Sequence, residues 1–598
     1  MTRAIIGAGG LACLLVGMIV TADDAPIRER PAAPVARPAA LQRASQPGNS
    51  PLPTQVWWTD RKGDFLVYES GPRRLTEFDS SKRPIAPTNV VAADDLINDC
   101  AVPAPNGQWS AMIDHRRPGV RFVAGDIRRI GRSEFKSDRV PDSVPIDPNP
   151  QGLAVTADSK KVLVACDTSG PADRRVGIID VETGKVSYRP IQGSSNLRGI
   201  AVDPTGKYAL AVHLVPKSHL PSTQIEQGWV FTNAITWLSL GGPELAVTLP
   251  LDLRTQGFAN PEGVAISPNG EKAWVAHAGA DVVSVVDLKA LLAVVQEVTN
   301  KDHGSGGNGY VVDDLRMTRR YVRARIRVGS NPRAIAVSPD GAQVAVANRL
   351  DDSVSLLNAA TDSVTDTISL YRDGKRPPRG KDAVHREGEK LFHSGRLSFS
   401  GQFSCVSCHP DGHADGLNWD LPADGFNNFH NTKSLLSIEG TAPYGWLGTS
   451  PTLRDRFTGT LRHLFQHEPT ESEAAALEDF LVQLWAPEPV GPFDGATNAA
   501  VARGKALFEG KAGCRECHAG TKFTDRALHD VGTGSGDPAE FDTPTLLRIS
   551  TTAPYLHDGR AATLEEIFAK YNPAGLHGRA ADLPPQELAD LVAFLRSL

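Results

Sequence analysis

Methionine is nearly absent from this chain: 598 residues hold four, at positions 1, 18, 112 and 317, so the last 281 residues have none. Cysteine is scarce too, seven in all, which excludes a disulfide-built scaffold. There is no basic excess: 63 Lys+Arg stand against 69 Asp+Glu, a net charge of -6, so the face that nucleic-acid binding requires is missing. Beyond the N-terminus no run of 18 uninterrupted apolar residues occurs, which leaves no further membrane span. What is plentiful is Gly (55) and Pro (44), a composition of many turns and short strands. Hydrophobic residues at 40% and charged residues at 22% describe a globular chain, and the length suggests three to five domains or a repeat architecture.

Residues 1–22 read as a secretory signal peptide. Arg3 precedes an apolar run from Ala4 to Val20, and the small residues Thr21-Ala22 meet Asp23-Asp24. Residues 23–52, rich in Pro, Ala and Arg without apolar periodicity, are expected to form a disordered tether. The signal implies export, to the periplasm, with no membrane span once it is removed.

From 53 to 372 one phrase recurs: an apolar pair, a turn, then an alternating strand. The copies begin at Ala101, Ala154, Ala201, Ala265 and Ala336, with turns such as Pro105-Asn106-Gly107 and Pro339-Asp340-Gly341. Asn-Gly and Asp-Gly provide the positive backbone angles of tight hairpins. A single four-stranded unit cannot bury both its faces, so such units stack around an axis as blades. At roughly 45 residues per blade, the region predicts an all-β propeller of about seven blades. The phrases resemble the YVTN or NHL class of propeller repeat. The stretch Leu288–Val298 is amphipathic and reads as a helical insertion. Cys166, His213, His277 and Asn348 close the same strand of successive repeats. Were that strand the inner one, the histidines could ring a channel and hold copper; otherwise they are polar strand ends.

Residues 373–384 read as a linker, after which two mainly α cytochrome c domains are expected, 385–486 and 497–598, joined by a linker at 487–496. Gly388-Glu-Lys-Leu-Phe392 and Gly504-Lys-Ala-Leu-Phe508 each lead to a C-x-x-C-H motif: Cys405, Cys408, His409 and Cys514, Cys517, His518. The motif attaches a c-type haem: two thiols form thioethers, and the adjacent histidine ligates iron. Zinc would need a second cysteine pair close by, and a redox dithiol would need a βαβ setting. Two covalently bound haem c groups are therefore expected.

The C-terminal part, 385–598, resembles the bacterial di-haem cytochrome c peroxidases and the related MauG-type enzymes, most closely in Phe541–Gly559, FDTPTLLRISTTAPYLHDG. The resemblance implies a calcium ion held by Asn431 and by the backbone of Thr552 and Pro554. It implies an inter-haem tryptophan, Trp446, that passes electrons, and a proton-handling carboxylate near the first haem, Glu468, with His467 behind it. His413 and His430 stand nearest to the family's distal histidine. The second haem's distal ligand falls at Tyr571, where the MauG branch has tyrosine and the peroxidases have methionine; the alternative at that iron is His577 or water. The activity implied is di-haem peroxidase chemistry on hydrogen peroxide. Electrons would come from a small cytochrome c, a cupredoxin or a protein substrate, with the propeller as docking or substrate platform. Two other readings are an electron-transfer cytochrome without catalysis and a propeller dehydrogenase exporting electrons through the haems.

Overall fold

A computed structural model describes residues 53–598, except 60–62, 71–73, 89–99, 115–118, 126–141, 148, 168–173, 221–229, 302–310, 372–376, 422–427, 485–496, 535–538 and 573. The signal peptide, the tether and the 487–496 linker lie outside the described residues.

Six four-stranded antiparallel sheets form the N-terminal part. Their strands run in sequence order from the axis outwards, over 53–88, 101–145, 150–191, 195–250, 261–327 and 332–369. Each neighbouring pair of blades shares its own apolar core. The ring closes where Val56, Phe65, Val67 and Phe78 of blade 1 meet Ala345, Ala347, Val354 and Leu356 of blade 6. Trp58 Nε1 seals this joint by donating to the Ala336 carbonyl at 3.0 Å.

The count is six rather than about seven because insertions lengthen the blades. Blade 5 carries the helix Leu288–Lys301 between its third and fourth strands. Leu291, Val294, Val295 and Val298 of that helix recur at helical spacing and enter the core between blades 4 and 5. Each recurring phrase is one blade, and blade 1, Pro53–Thr88, is the divergent sixth.

Burial also departs from simple alternation. The second strands, Lys161–Cys166, Lys272–His277 and Gln343–Asn348, are buried over nearly their whole length, because blades cover them on both faces. The outermost strand of blade 6, Ser363–Ser369, is mostly exposed. The turns are longer than two-residue hairpins: in Ser267-Pro268-Asn269-Gly270 only Gly270 has positive φ (70°), and its N–H donates to the Ser267 carbonyl at 2.8 Å. That is a type I turn followed by one left-handed residue.

The C-terminal part is helical. The first haem segment contains helices Lys381–His393, Cys405–Cys408, Leu453–His463 and Glu471–Val482; the second contains Asn498–Glu509, Leu564–Lys570 and Pro585–Arg596. The first of these begins at Lys381, inside the stretch read as linker, so the propeller passes almost directly into it. Thr452, Thr470, Thr497 and Thr563 each cap a helix by accepting a backbone N–H, which satisfies one of the orphan donors of the first turn. Gly388 and Gly504 occupy matching helix crossings: an added Cβ would lie 1.9 Å from the carbonyl oxygens of Ala476 and Asp590. Blade 4 contributes Leu214, Val230 and Phe231 to the first haem segment's core, with the Phe231 ring 5.0 Å from that of Trp419.

Candidate haem-binding site

Both C-x-x-C-H motifs open into one cavity of 490 Å³, lined by Cys405, Cys408 and His409 from the first and Cys514, Cys517 and His518 from the second. Ser404 and Ser407 form a capping box around the short helix Cys405–Cys408, which presents both thiols to one side. The chain then turns, and His409 Nδ1 lies 3.0 Å from the His413 carbonyl. His518 Nδ1 is likewise 3.1 Å from the Phe523 carbonyl. Each contact fixes the tautomer with hydrogen on Nδ1 and leaves Nε2 as the ligating atom. Burial lowers the pKa of both rings, His409 to about 4, so both are neutral, the form that binds metal. Burial also pushes the Cys405 thiol up to about 12 and the Cys514 thiol up to about 11, the reverse of a reactive dithiol. The donor set, the apolar wall (Phe403, Leu461, Leu464, Phe465, Phe568) and the pinned histidines fit two thioether-attached haems.

The structure redistributes the other expected site residues. Tyr571 does not line the cavity. It follows the helix Leu564–Lys570, with Lys570 Nζ 4.9 Å and Arg560 Cζ 6.0 Å from its ring centre. His577, the alternative at the second iron, does line the cavity. The Asn572 side chain bonds the His577 and Gly578 carbonyls and the His577 N–H at 2.9–3.1 Å, curling the loop back towards the cavity. The His577 ring centre lies 6.4 Å from that of His518, with 36° between planes. Two imidazoles on opposite sides of one metal, each bonded at about 2.0 Å, stand at about that spacing. Burial, with His518 beside it, lowers the His577 pKa to about 4.

Glu468 is also displaced from its expected role. Its side chain is 69% exposed, and both oxygens accept from Arg462 at 2.7 Å. A left-handed residue, Gln466 (φ 57°), turns the chain outward just before it. Two carboxylates do line the cavity, Asp530 and Asp542; the latter is 3% exposed and lies 3.0 Å from Lys433 Nζ. Burial raises the Asp542 pKa against the pull of Lys433, and burial lowers that of Lys433.

Trp446 sits where the two haem segments meet. Its Nε1 donates to the Asn431 carbonyl at 2.7 Å, its carbonyl accepts the Asp542 N–H at 2.8 Å, and its ring lies 6.5 Å from that of His557. Lys433 Nζ stands over the ring, 4.7 Å from its centre. His430 also lines the cavity, 6.0 Å from the His557 ring, while His413 Nε2 bonds Thr551 Oγ1 at 2.6 Å. The three residues expected at calcium converge in part: the Asn431 amide and Pro554 flank Gly559, each 3.0 Å from where its Cβ would be, and Asn418 joins them at 3.0 Å. Thr552 lies two residues before Pro554 and donates its hydroxyl to the Ile549 carbonyl.

Sequence reasoning missed an internal duplication. Thr441-Ala-Pro-Tyr444 and Thr552-Ala-Pro-Tyr555 have cis prolines and matching bridges, Tyr444 to Ser450 and Tyr555 to Ala561. Trp446 and His557 hold equivalent places in the two copies; the repeated T-A-P-Y string was the available signal. Among the described residues, His213 and His277 belong to no metal-ligating cluster. They lie on second strands, one removed from the axis: His213 bonds the Leu214 carbonyl and Thr236 Oγ1, and His277 the Phe258 carbonyl and Ser284 Oγ. Among the described residues, Cys517, Asp525 and His529 bring ligating atoms within 4.8 Å. That cluster uses a cysteine of the second motif, so ion binding there competes with haem attachment.

A family model for the di-haem cytochrome c peroxidase matches residues 384–484. The beta subunit of hydrazine synthase from Kuenenia stuttgartiensis is 32% identical over 245 residues, 41% of this chain and 61% of that protein, so the chain spans about three-fifths of this relative's length. The gamma subunit of hydrazine synthase from the same organism is 32% identical over 277 residues, 36% of this chain and 78% of that protein. The methylamine utilization protein MauG of Methylorubrum extorquens is 29% identical over 275 residues, covering 35% and 76%.

Proposed function

The chain belongs to the di-haem cytochrome c peroxidase family, and on that premise we propose that it is an exported, periplasmic redox protein carrying two haem c groups and acting on hydrogen peroxide. The observation that carries the reading is the single cavity shared by both motifs, with each proximal histidine pinned by a backbone carbonyl. Bound haem c supplies one-electron transfer and, where an axial position is open, peroxide activation.

The chain's own residues divide the remaining tasks. Cys405 and Cys408 hold one porphyrin and Cys514 and Cys517 the other, with His409 and His518 as iron ligands. His577, which lines the cavity beside His518 where Tyr571 does not, would be the second haem's further protein ligand and would suit that site to electron relay. The first site has no such partner among the described residues, and its cavity wall offers Lys433, Arg456 and Tyr444 as donors. Lys433, its pKa lowered by burial, holds a proton at Nζ beside Asp542 Oδ2 and is the acid–base pair nearest Trp446. Trp446 bridges the two sites. Calcium would be held by Asn431 with the backbone of Thr552 and Pro554; Asn431 and Pro554 do come together beside Gly559. Electrons come from a small cytochrome c or a cupredoxin. The propeller face opposite the haem segment remains as the docking platform.

Stopped-flow mixing of the diferric protein with peroxide tests this reading. A Soret change at the first haem is expected, and spectra unaltered at both haems would leave only an electron-transfer cytochrome. The joint match to two subunits of one enzyme favours a second reading, in which the chain unites counterparts of hydrazine synthase beta and gamma in one polypeptide. Hydrazine formation by the purified protein, with peroxide inert, would select it.

A further inference from the structure

The propeller reaches into the first haem motif with side chains from consecutive blades. Asn196, the second residue of blade 4's inner strand (Ser195–Val202), and Asn260, just before that of blade 5 (Pro261–Ile266), both have positive φ (49° and 55°), which turns their side chains out of the strand ladder. Asn260 joins both capping-box hydroxyls, Ser404 Oγ at 2.6 Å and Ser407 Oγ at 2.7 Å. The Asn196 amide donates to the Val406 and Ser407 carbonyls at 3.2 and 3.1 Å. Arg174 of blade 3 donates to the Asp415 carbonyl at 3.0 Å. Arg198, the fourth residue of blade 4's inner strand, bonds Asp411 Oδ2 at 3.1 Å and also Gln151 of blade 3, both through Nη1.

Asp411 stands at the tip of the turn that follows His409. It is a non-glycine residue in the left-handed region (φ 53°), a conformation that needs support from its surroundings. Gly412 N–H donates to the His409 carbonyl and His413 N–H to the Pro410 carbonyl, at 3.0 and 2.9 Å, so the turn is one hydrogen-bonded unit. Its last residue supplies the carbonyl that faces His409 Nδ1. Burial disfavours the Asp411 carboxylate, yet Arg198 and Arg333 hold its pKa below the ordinary value.

We propose that Arg198 is a positioning residue for the first haem: by clamping Asp411 it sets the 409–413 turn, and with it the His413 carbonyl that polarises the His409 ring. The inference rests on haem attachment at Cys405 and Cys408 with His409 as ligand. A strong Nδ1–H···O=C bond makes the imidazole a better donor and favours ferric iron. Releasing the clamp weakens that bond and raises the reduction potential. Through-space charge predicts the opposite sign for Arg198, since removing a positive charge favours the ferric state.

Spectroelectrochemical titration of the intact holoprotein separates the two, with the second haem as internal reference. Arg198→Gln and Asp411→Asn are each expected to raise the first potential, by an amount of the order of a tenfold shift in the ferric–ferrous equilibrium, about 59 mV. The double variant adds little to either. A lowered or unmoved potential in Arg198→Gln overturns the proposal, as does a double variant that shows the sum of two single rises. Should Arg198→Gln fail to fold, Asp411→Asn carries the test by removing the other partner of the same Nη1 bond, and the same rise is expected. The iron–histidine stretch of the ferrous first haem should fall in frequency alongside, and an unchanged stretch with an unchanged potential refutes the clamp. Pyridine haemochrome reports two haems per chain if the underlying attachment reading holds; one haem, with the first motif empty, removes that reading instead.

Discussion

Lys433→Met tests the charge pair beneath the bridging tryptophan. Asp542 is 3% exposed and Lys433 is 27% exposed, with the ammonium over Trp446 and its proton donated to Asp542 at 3.0 Å. Removing one partner of a fully buried pair costs about 3–5 kcal/mol. Lys433 keeps contact with the cavity and solvent, so a smaller loss is expected, about 2–3 kcal/mol at pH 7. The Asp542 carboxyl, already raised by burial, then rises further, having lost the cation that opposed the shift. A carboxyl with a folded pKa above its unfolded value contributes its stability below the unfolded value and loses it as pH climbs through the folded one. The variant therefore recovers towards the wild type on acidification, and Lys433→Met/Asp542→Asn recovers at every pH. Guanidinium denaturation of the holoprotein, followed at the Soret band between pH 4.5 and 8, reads both effects. A Lys433→Met midpoint equal to the wild type at pH 7, or a difference that does not narrow in acid, would refute the burial argument.

Other expectations concern the haem ligands and the packing. Tyr571→Phe should leave the second haem's spectrum and EPR unchanged, whereas His577→Ala should convert that haem to a form with an open or water-filled position. Glu468→Gln should leave peroxide reactivity within a factor of two of the wild type, because the side chain only pairs with Arg462 in solvent. Gly504→Ala places a methyl 1.9 Å from the Asp590 carbonyl oxygen and should cost about 1–3 kcal/mol in thermal unfolding, as overpacking does. Asn260→Ala strips the Ser404 and Ser407 hydroxyls of a buried partner and should cost about 1–3 kcal/mol, measured in the same way.

Relation of sequence to structure differs by element. The five phrases from Ala101 to Ala336 each became one blade, because hairpins and their turns are encoded within about 20 consecutive residues. The blade total depended on insertions such as Leu288–Lys301 and on closure between blades 1 and 6, neither of which a repeat length conveys. The second-strand histidines looked like possible channel ligands because position along a strand is legible while distance from the axis is not. Tyr571 stood at the right spacing from His557, but spacing along a chain does not say which way a loop turns, and Asn572 turns this one to bring His577 inward. Glu468 failed for a similar reason at Gln466.

The sequence by itself located both C-x-x-C-H motifs, since two thioethers and a ligand need only five adjacent residues, and it determined the strand-and-turn grammar of the blades. It also excluded methionine from both irons' ligand sets within the haem region. Tertiary structure decided that His577 and Asp542 line the cavity while Tyr571 and Glu468 do not, and that the propeller grips the first motif through Asn196, Arg198 and Asn260. Those contacts join residues about 140 to 210 positions apart, and their formation depends on how the intervening chain packs rather than on any local pattern.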